Sequence, residues 1–173
     1  MTNIIRTFVT AAIIGLFAFT APLSAQEVKE EVKGTYGDWE VVCISRDGKE
    51  QCVMRQFGST ADGKKVLEVQ VQKLEGVKTQ DGKVVPAAIQ ITTPLGTLLR
   101  RGVSVKIDKG EPRTGVFEVC LRSGCVLRDP MAEEFLGQLK AGKHAKMTFA
   151  MLGRGELSVE ISLKGFTKAY KSL

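Results

Sequence analysis

Apolar residues recur at every second position through most of the chain. Leu67, Val69 and Val71 alternate with Glu68, Gln70 and Gln72, and Val103, Val105 and Ile107 alternate with Ser104 and Lys106. Met147, Phe149 and Met151 repeat the pattern, as do Leu157, Val159, Ile161 and Leu163. Successive side chains of a strand point to opposite faces, so each segment predicts a strand with one buried and one wet face. Ile89 and Ile91 give 88–93 the same reading. Turn chemistry separates the segments at Ala61-Asp62-Gly63, Gln80-Asp81-Gly82, Pro94-Leu95-Gly96, Asp108-Lys109-Gly110 and Gly153-Arg154-Gly155. About eight or nine short strands at this spacing predict a mainly β protein, an antiparallel β-sandwich or barrel-like fold.

One segment departs from the two-residue period. Asp129 as a cap, Pro130 at the first helical position, and Glu133 and Glu134 in the first turn predict a short α-helix over 130–141, stopping near Gly142. Met131, Phe135, Leu136 and Leu139 form its apolar stripe, with Glu134, Gln138 and Lys140 toward water. A further helical turn is expected around 167–172.

The start of the chain belongs to a different class of signal. Arg6 closes a short basic start, an apolar run follows from Phe8 to Phe19, and Leu23-Ser24-Ala25 offers a small residue for cleavage. We read 1–25 as an export signal cut after Ala25, with Pro22 arguing against a membrane anchor. The mixed-charge stretch 26–36 reads as a flexible lead-in and 37–173 as a single β-rich domain, with no transmembrane segment after cleavage.

Export makes the four cysteines candidates for disulfides, and four cysteines allow three connectivities. Local context favours near neighbours. Cys43 ends one apolar run and Cys52 opens the next, with Arg46-Asp47-Gly48-Lys49 as a turn between them. Cys120 and Cys125 flank Ser123-Gly124 in the same way. Directly opposed residues of an antiparallel pair lie within disulfide reach. The Cys-x8-Cys and Cys-x4-Cys spacings fit neither a zinc site nor a redox-active Cys-x-x-Cys pair, so no metal is expected.

An ordered set of residues resembles a known family. Gly37-Asp38-Trp39-Glu40-Val41-Val42-Cys43 followed by Cys52, then Pro94-Leu95-Gly96 with Gly102-Val103, then Cys120 with Gly124-Cys125, and Ser162-Leu163-Lys164-Gly165-Phe166, resemble the invasion-associated locus B family of bacterial exported proteins. The resemblance spans nearly all of 37–173. It implies a secreted or periplasmic β-rich domain in a family named for one member's association with host-cell entry and widespread among alphaproteobacteria. It carries over no catalytic residues.

Composition agrees that catalytic machinery is scarce. His144 is the single histidine, and Lys143 and Lys146 flank it in what reads as a surface position at a strand entry. No nucleophile elbow, phosphate loop, cofactor fingerprint or His-Glu-x-x-His signature occurs. Two carboxylates suffice for a glycosidase, but the 19 acidic residues give no sequence cue to a converging pair. We therefore expect a non-catalytic protein without cofactor, with an envelope hydrolase or a periplasmic inhibitor or chaperone as alternatives.

Charge supplies the functional lead. Residues 26–99 hold 10 basic and 11 acidic side chains, whereas 100–173 hold 14 and 8. Arg100, Arg101, Lys140, Lys143, Lys146, Lys164, Lys168 and Lys171 are the candidates for a cationic face. Such a face attracts an anionic envelope or host-surface component, such as a glycolipid or an acidic protein. Export and a scarcity of stacking aromatics argue against nucleic acid. Trp39, Phe166 and Tyr170 are read as core.

Overall fold

The computed structural model describes residues 29–173, so the expected export signal lies outside the described residues. Eleven strands form: β1 (Lys29–Tyr36), β2 (Trp39–Arg46), β3 (Lys49–Ser59), β4 (Lys65–Lys73), β5 (Ala87–Thr93), β6 (Val103–Ile107), β7 (Arg113–Gly115), β8 (Val119–Leu121), β9 (Gly124–Met131), β10 (His144–Met151) and β11 (Gly155–Ser162). Helix α1 (Glu133–Ala141) separates β9 from β10, helix α2 (Phe166–Ser172) follows β11, and a single 3₁₀ turn (Leu99–Arg101) precedes β6. All pairings of named strands are antiparallel.

The strands divide into a seven-stranded sheet, β1-β2-β3-β4-β5-β9-β8, and a four-stranded sheet, β11-β10-β6-β7. Both sheets keep open edges, which settles the expected sandwich-or-barrel alternative against a closed barrel. Alternation decides which residues meet between them. Val69 and Val71 of β4 and Ile89 and Ile91 of β5 point inward from the large sheet, and Val105, Met147, Phe149 and Ile161 from the small one. Together they make one continuous apolar core, with Leu136 and Leu139 of α1 closing one end.

Three expectations change. The strand count rises from about eight or nine to eleven because β1 and the three-residue β7 carry no apolar alternation. β1 occupies part of the stretch expected to be a flexible lead-in. Its charged side chains are exposed, and its backbone pairs along β2 from Lys29 opposite Ser45 to Tyr36 opposite Trp39. The α1 start also moves. Asp129, Pro130 and Met131 are not cap and first turn but the end of β9, opposite Ile89, Ala88 and Ala87, and Ala132 stands at the helix N-cap without a side-chain cap bond. Proline is tolerated there because β8 pairs with β9 only over Gly124–Val126, so the missing N–H removes no ladder bond on that side. Helix α2 lies where the further helical turn was read.

The segments that carried the family resemblance are joints of this fold. Gly165, at φ 89°, passes so close to Tyr36 that a Cβ would lie 1.8 Å from the Tyr36 carbonyl oxygen. The Asp38 N–H donates to the Lys164 carbonyl at 3.1 Å. Trp39, 1% exposed, packs edge-to-face on Phe166 at 5.1 Å and donates its indole N–H to the Ser162 carbonyl at 2.9 Å. Trp39, Phe166 and Tyr170 are thus core, as read from the sequence.

Candidate functional site

The four cysteines are bonded as their contexts suggested, Cys43 to Cys52 across β2–β3 and Cys120 to Cys125 across β8–β9, each pair in direct register. No free cysteine remains. Glu50 lies near Cys43 and Cys52, but both sulfurs are committed to the disulfide and offer no thiolate to a cation.

The eight basic residues singled out by charge do not form one face. Lys140, Lys143, Lys164, Lys168 and Lys171 gather where α1 ends and α2 begins. The Thr167 hydroxyl donates to the Lys140 carbonyl at 3.1 Å, the Lys140 ammonium lies 4.5 Å from the Tyr170 ring centre, and the Leu163 N–H donates to the Lys143 carbonyl at 2.8 Å. All five lysines are exposed, and among the described residues none has a carboxylate within 4.0 Å. Lys146 lies slightly inward on β10, between Lys106 and Glu160 in register on the outer face of the small sheet. Arg100 and Arg101 sit at the other end of β10, where the Thr97 backbone bridges Met151 and Arg101 pairs with Glu156 at 3.0 Å. The rise of a strand puts them roughly 20 Å from the lysine cluster.

Asp108 shapes the lysine end from beneath. Its carboxylate accepts the His144 N–H at 3.0 Å and the Lys143 N–H at 3.0 Å, which holds its pKa below the usual carboxylate range. The carboxylate thus fixes the backbone that presents Lys143, and its charge also acts on the Lys143 ammonium, though more weakly than the backbone bonds.

Two depressions offer alternative chemistry. An apolar cleft of about 190 Å³ opens between the sheets, walled by Ile89, Val103, Val105, Leu127 and Phe135, with Asp129 inside and Arg113 in its lining. Burial, then the nearby Glu118 charge, raises the Asp129 pKa. Arg113 is held at the rim by Glu134 at 2.8 Å and by stacking over Phe135 at 5.3 Å. Sequence reasoning missed this cleft because Asp129 looked like a helix cap, and β9 reaches four residues further than its apolar run, which ends at Leu127.

The second depression holds Asp38, Glu40, Arg55, His144 and Glu160. Glu40 is spoken for by Arg55 at 3.2 Å, and the His144 imidazole is 3.9 Å from Glu160, too far for the hydrogen bond that would orient a general base. His144 is exposed at the first position of β10, as expected. Glu133 and Glu134 are exposed in the first turn of α1, where they complement the helix dipole.

Three comparisons bear on this geometry. A family model described as "Invasion associated locus B (IalB) protein" matches residues 39–173. An invasion protein B homolog of Brucella abortus (strain 2308) is 32% identical over 165 residues, covering 94% of this chain and 88% of the relative. Invasion protein B of Bartonella bacilliformis is 29% identical over 161 residues, covering 89% and 78%. The crystal structure of invasion associated protein B from Bartonella henselae superposes with a TM-score of 0.61 at 25% identity, covering 80% of this chain and 92% of that one.

Proposed function

We propose, on the premise that the chain belongs to the invasion-associated locus B family, that it is an exported, non-catalytic interaction protein of the bacterial envelope. In a pathogen it contributes to host-cell association by binding an acidic surface component, either an anionic glycolipid or an acidic protein. One observation carries this reading: five exposed lysines, 140, 143, 164, 168 and 171, converge at the α1–α2 end with no ion-pair partner among the described residues. Glu133 lies close enough to add to the burial that raises the Tyr170 hydroxyl pKa, yet the cluster keeps a positive excess. Such a patch concentrates anions and speeds their encounter. Two disulfides and no free thiol support residence in an oxidising compartment.

The test is crosslinking and pull-down from intact envelopes and host-cell membranes with the oxidised protein and the triple variant Lys164→Glu/Lys168→Glu/Lys171→Glu. The reading expects a component captured by the wild type, weakened as salt shortens the Debye length, and lost with the variant. Equal capture by both proteins overturns the lysine assignment. Turnover of an envelope glycan, abolished by Asp129→Asn or Glu160→Gln, would instead favour the hydrolase alternative.

A further inference from the structure

Four leucines stand out of the surface at the end of the molecule opposite the lysine cluster. Leu95, Leu98 and Leu99 lie between β5 and β6 and are 56, 40 and 41% exposed; Leu152, at the tip of the β10–β11 hairpin, is 75% exposed. Two backbone hydrogen bonds seam the segment to the hairpin: the Leu98 N–H donates to the Ala150 carbonyl and the Leu152 N–H to the Gly96 carbonyl, each at 2.8 Å. The buried Thr97 fixes the loop from below, its hydroxyl donating to the Pro94 carbonyl at 2.8 Å and lying within hydrogen-bond distance, 2.9 Å, of the Thr93 hydroxyl. The leucines thus share one prebuilt rim. Arg100, Arg101 and Arg154 are interspersed among them. Glu156 is held by Arg101 at 3.0 Å, and among the described residues neither Arg100 nor Arg154 has a carboxylate within 4.0 Å.

We propose that this rim docks the protein on an anionic lipid bilayer, the leucines entering between headgroups while the arginines pair with lipid phosphates. This goes beyond the lysine-dependent reading and uses a different surface. Exposed apolar clusters of this kind mark interaction sites on soluble proteins. Charge complementarity selects the occupant: apolar side chains ringed by arginines, with the acidic neighbour already neutralised, match the interface between acyl chains and anionic headgroups. The exposed leucine surface amounts to about two fully exposed side chains, roughly eight carbons, an apolar anchor weaker than the already marginal attachment given by a single lipid chain. Attachment must therefore draw on both terms, and it requires anionic lipid. The lysine cluster, roughly 20 Å away along β10, then faces away from the membrane and stays free for its own partner.

Vesicle flotation of the oxidised chain without the expected export signal 1–25 tests this, with phosphatidylcholine vesicles against vesicles containing roughly 30% phosphatidylglycerol as the probes. Binding is expected on the anionic vesicles and at least about tenfold weaker on the neutral ones or in high salt. Leu152→Ser and, separately, Leu99→Ser should each weaken it severalfold, and the pair by about tenfold or more. Arg100→Glu/Arg154→Glu should weaken it at least about tenfold. Circular dichroism and the melting temperature check each fold, and these exposed positions supply independent variants should one misfold. The proposal is overturned if the wild type does not float, or if the leucine variants float like the wild type. It is also overturned if the lysine triple variant abolishes flotation while the rim variants do not, which would put the membrane contact at the other end. A change in oligomeric state on Leu→Ser substitution without any effect on flotation would assign the rim to a second copy of the chain.

Discussion

Gln56 is the polar clamp between the two sheets, and its removal is the sharpest stability test the fold offers. Its amide nitrogen donates to the Asp38 carbonyl at 2.8 Å and the Ser162 carbonyl at 3.0 Å, and its amide oxygen accepts the Ser162 N–H at 2.9 Å. One side chain on β3 of the large sheet thereby holds the end of β11 in the small sheet and the β1–β2 turn. Gln56→Leu keeps the bulk and loses all three bonds. Each half-buried bond contributes about 1 kcal/mol net, and the exposed one to Asp38 contributes less because water replaces it. The expected loss is about 2 kcal/mol, since Trp39 still satisfies the Ser162 carbonyl. Urea denaturation should show a midpoint lower by about 1 M with an unchanged slope. Gln56→Glu adds a sharper signature. A carboxylate still accepts the Ser162 N–H but cannot donate to either carbonyl, so the folded state raises its pKa. The variant should be unstable at neutral pH and regain stability as pH falls and the acid protonates. A Gln56→Leu loss below about 0.5 kcal/mol, or a Gln56→Glu protein as stable as the wild type at pH 7, would refute the clamp.

Replacing Cys43 and Cys52 together by alanine should cost about 2 to 3 kcal/mol, and replacing Cys120 and Cys125 slightly less because the closed loop is shorter; chemical denaturation of each double variant reads this. Asp108→Ala should lower the melting temperature at neutral pH. Because the folded-state pKa of Asp108 is depressed, its contribution is present above the ordinary carboxylate value of about 4 and fades as pH falls through the depressed value, so the gap between wild-type and variant melting curves should narrow in acid to the pH-independent cost of alanine at φ 46°. Asp129→Asn has the opposite sign. A raised pKa favours the protonated form in the fold, a contribution lost as pH rises through that value, so the variant should equal or exceed wild-type stability at pH 8 and show a flatter pH profile.

The architecture was legible wherever one face of a strand is buried and the other is wet. β4, β10 and β11 announce themselves through Leu67–Val69–Val71, Met147–Phe149–Met151 and Val159–Ile161, because burial on one face enforces the two-residue period. β1 was illegible for the complementary reason: a strand on an open edge, held by main-chain bonds and exposed along nearly all its length, leaves no apolar period to read. Pro130 misled because a proline after an aspartate and before two glutamates is a helix start by local chemistry, and only the absence of a partner strand on that side of β9 permits it in a sheet. For the candidate site, the C-terminal charge excess was visible but its division was not. Arg100 and Lys140 belong to one charge count and to opposite ends of β10, and only strand order separates them. Nor does a sequence reveal that Leu98, Leu99 and Leu152 are left outside, since their composition is that of a core.

Both cross-links join strands that follow one another in the chain, at separations of 9 and 5 positions. Each cysteine therefore has its native partner as the nearest unpaired cysteine, and oxidation in the order the chain is made yields the native pairs without rearrangement. An oxidant suffices where a chain with interleaved pairs would need an isomerase. A scrambled pair such as Cys43 with Cys120 must close a much longer loop, so the connectivity is favoured kinetically before the sheets have met.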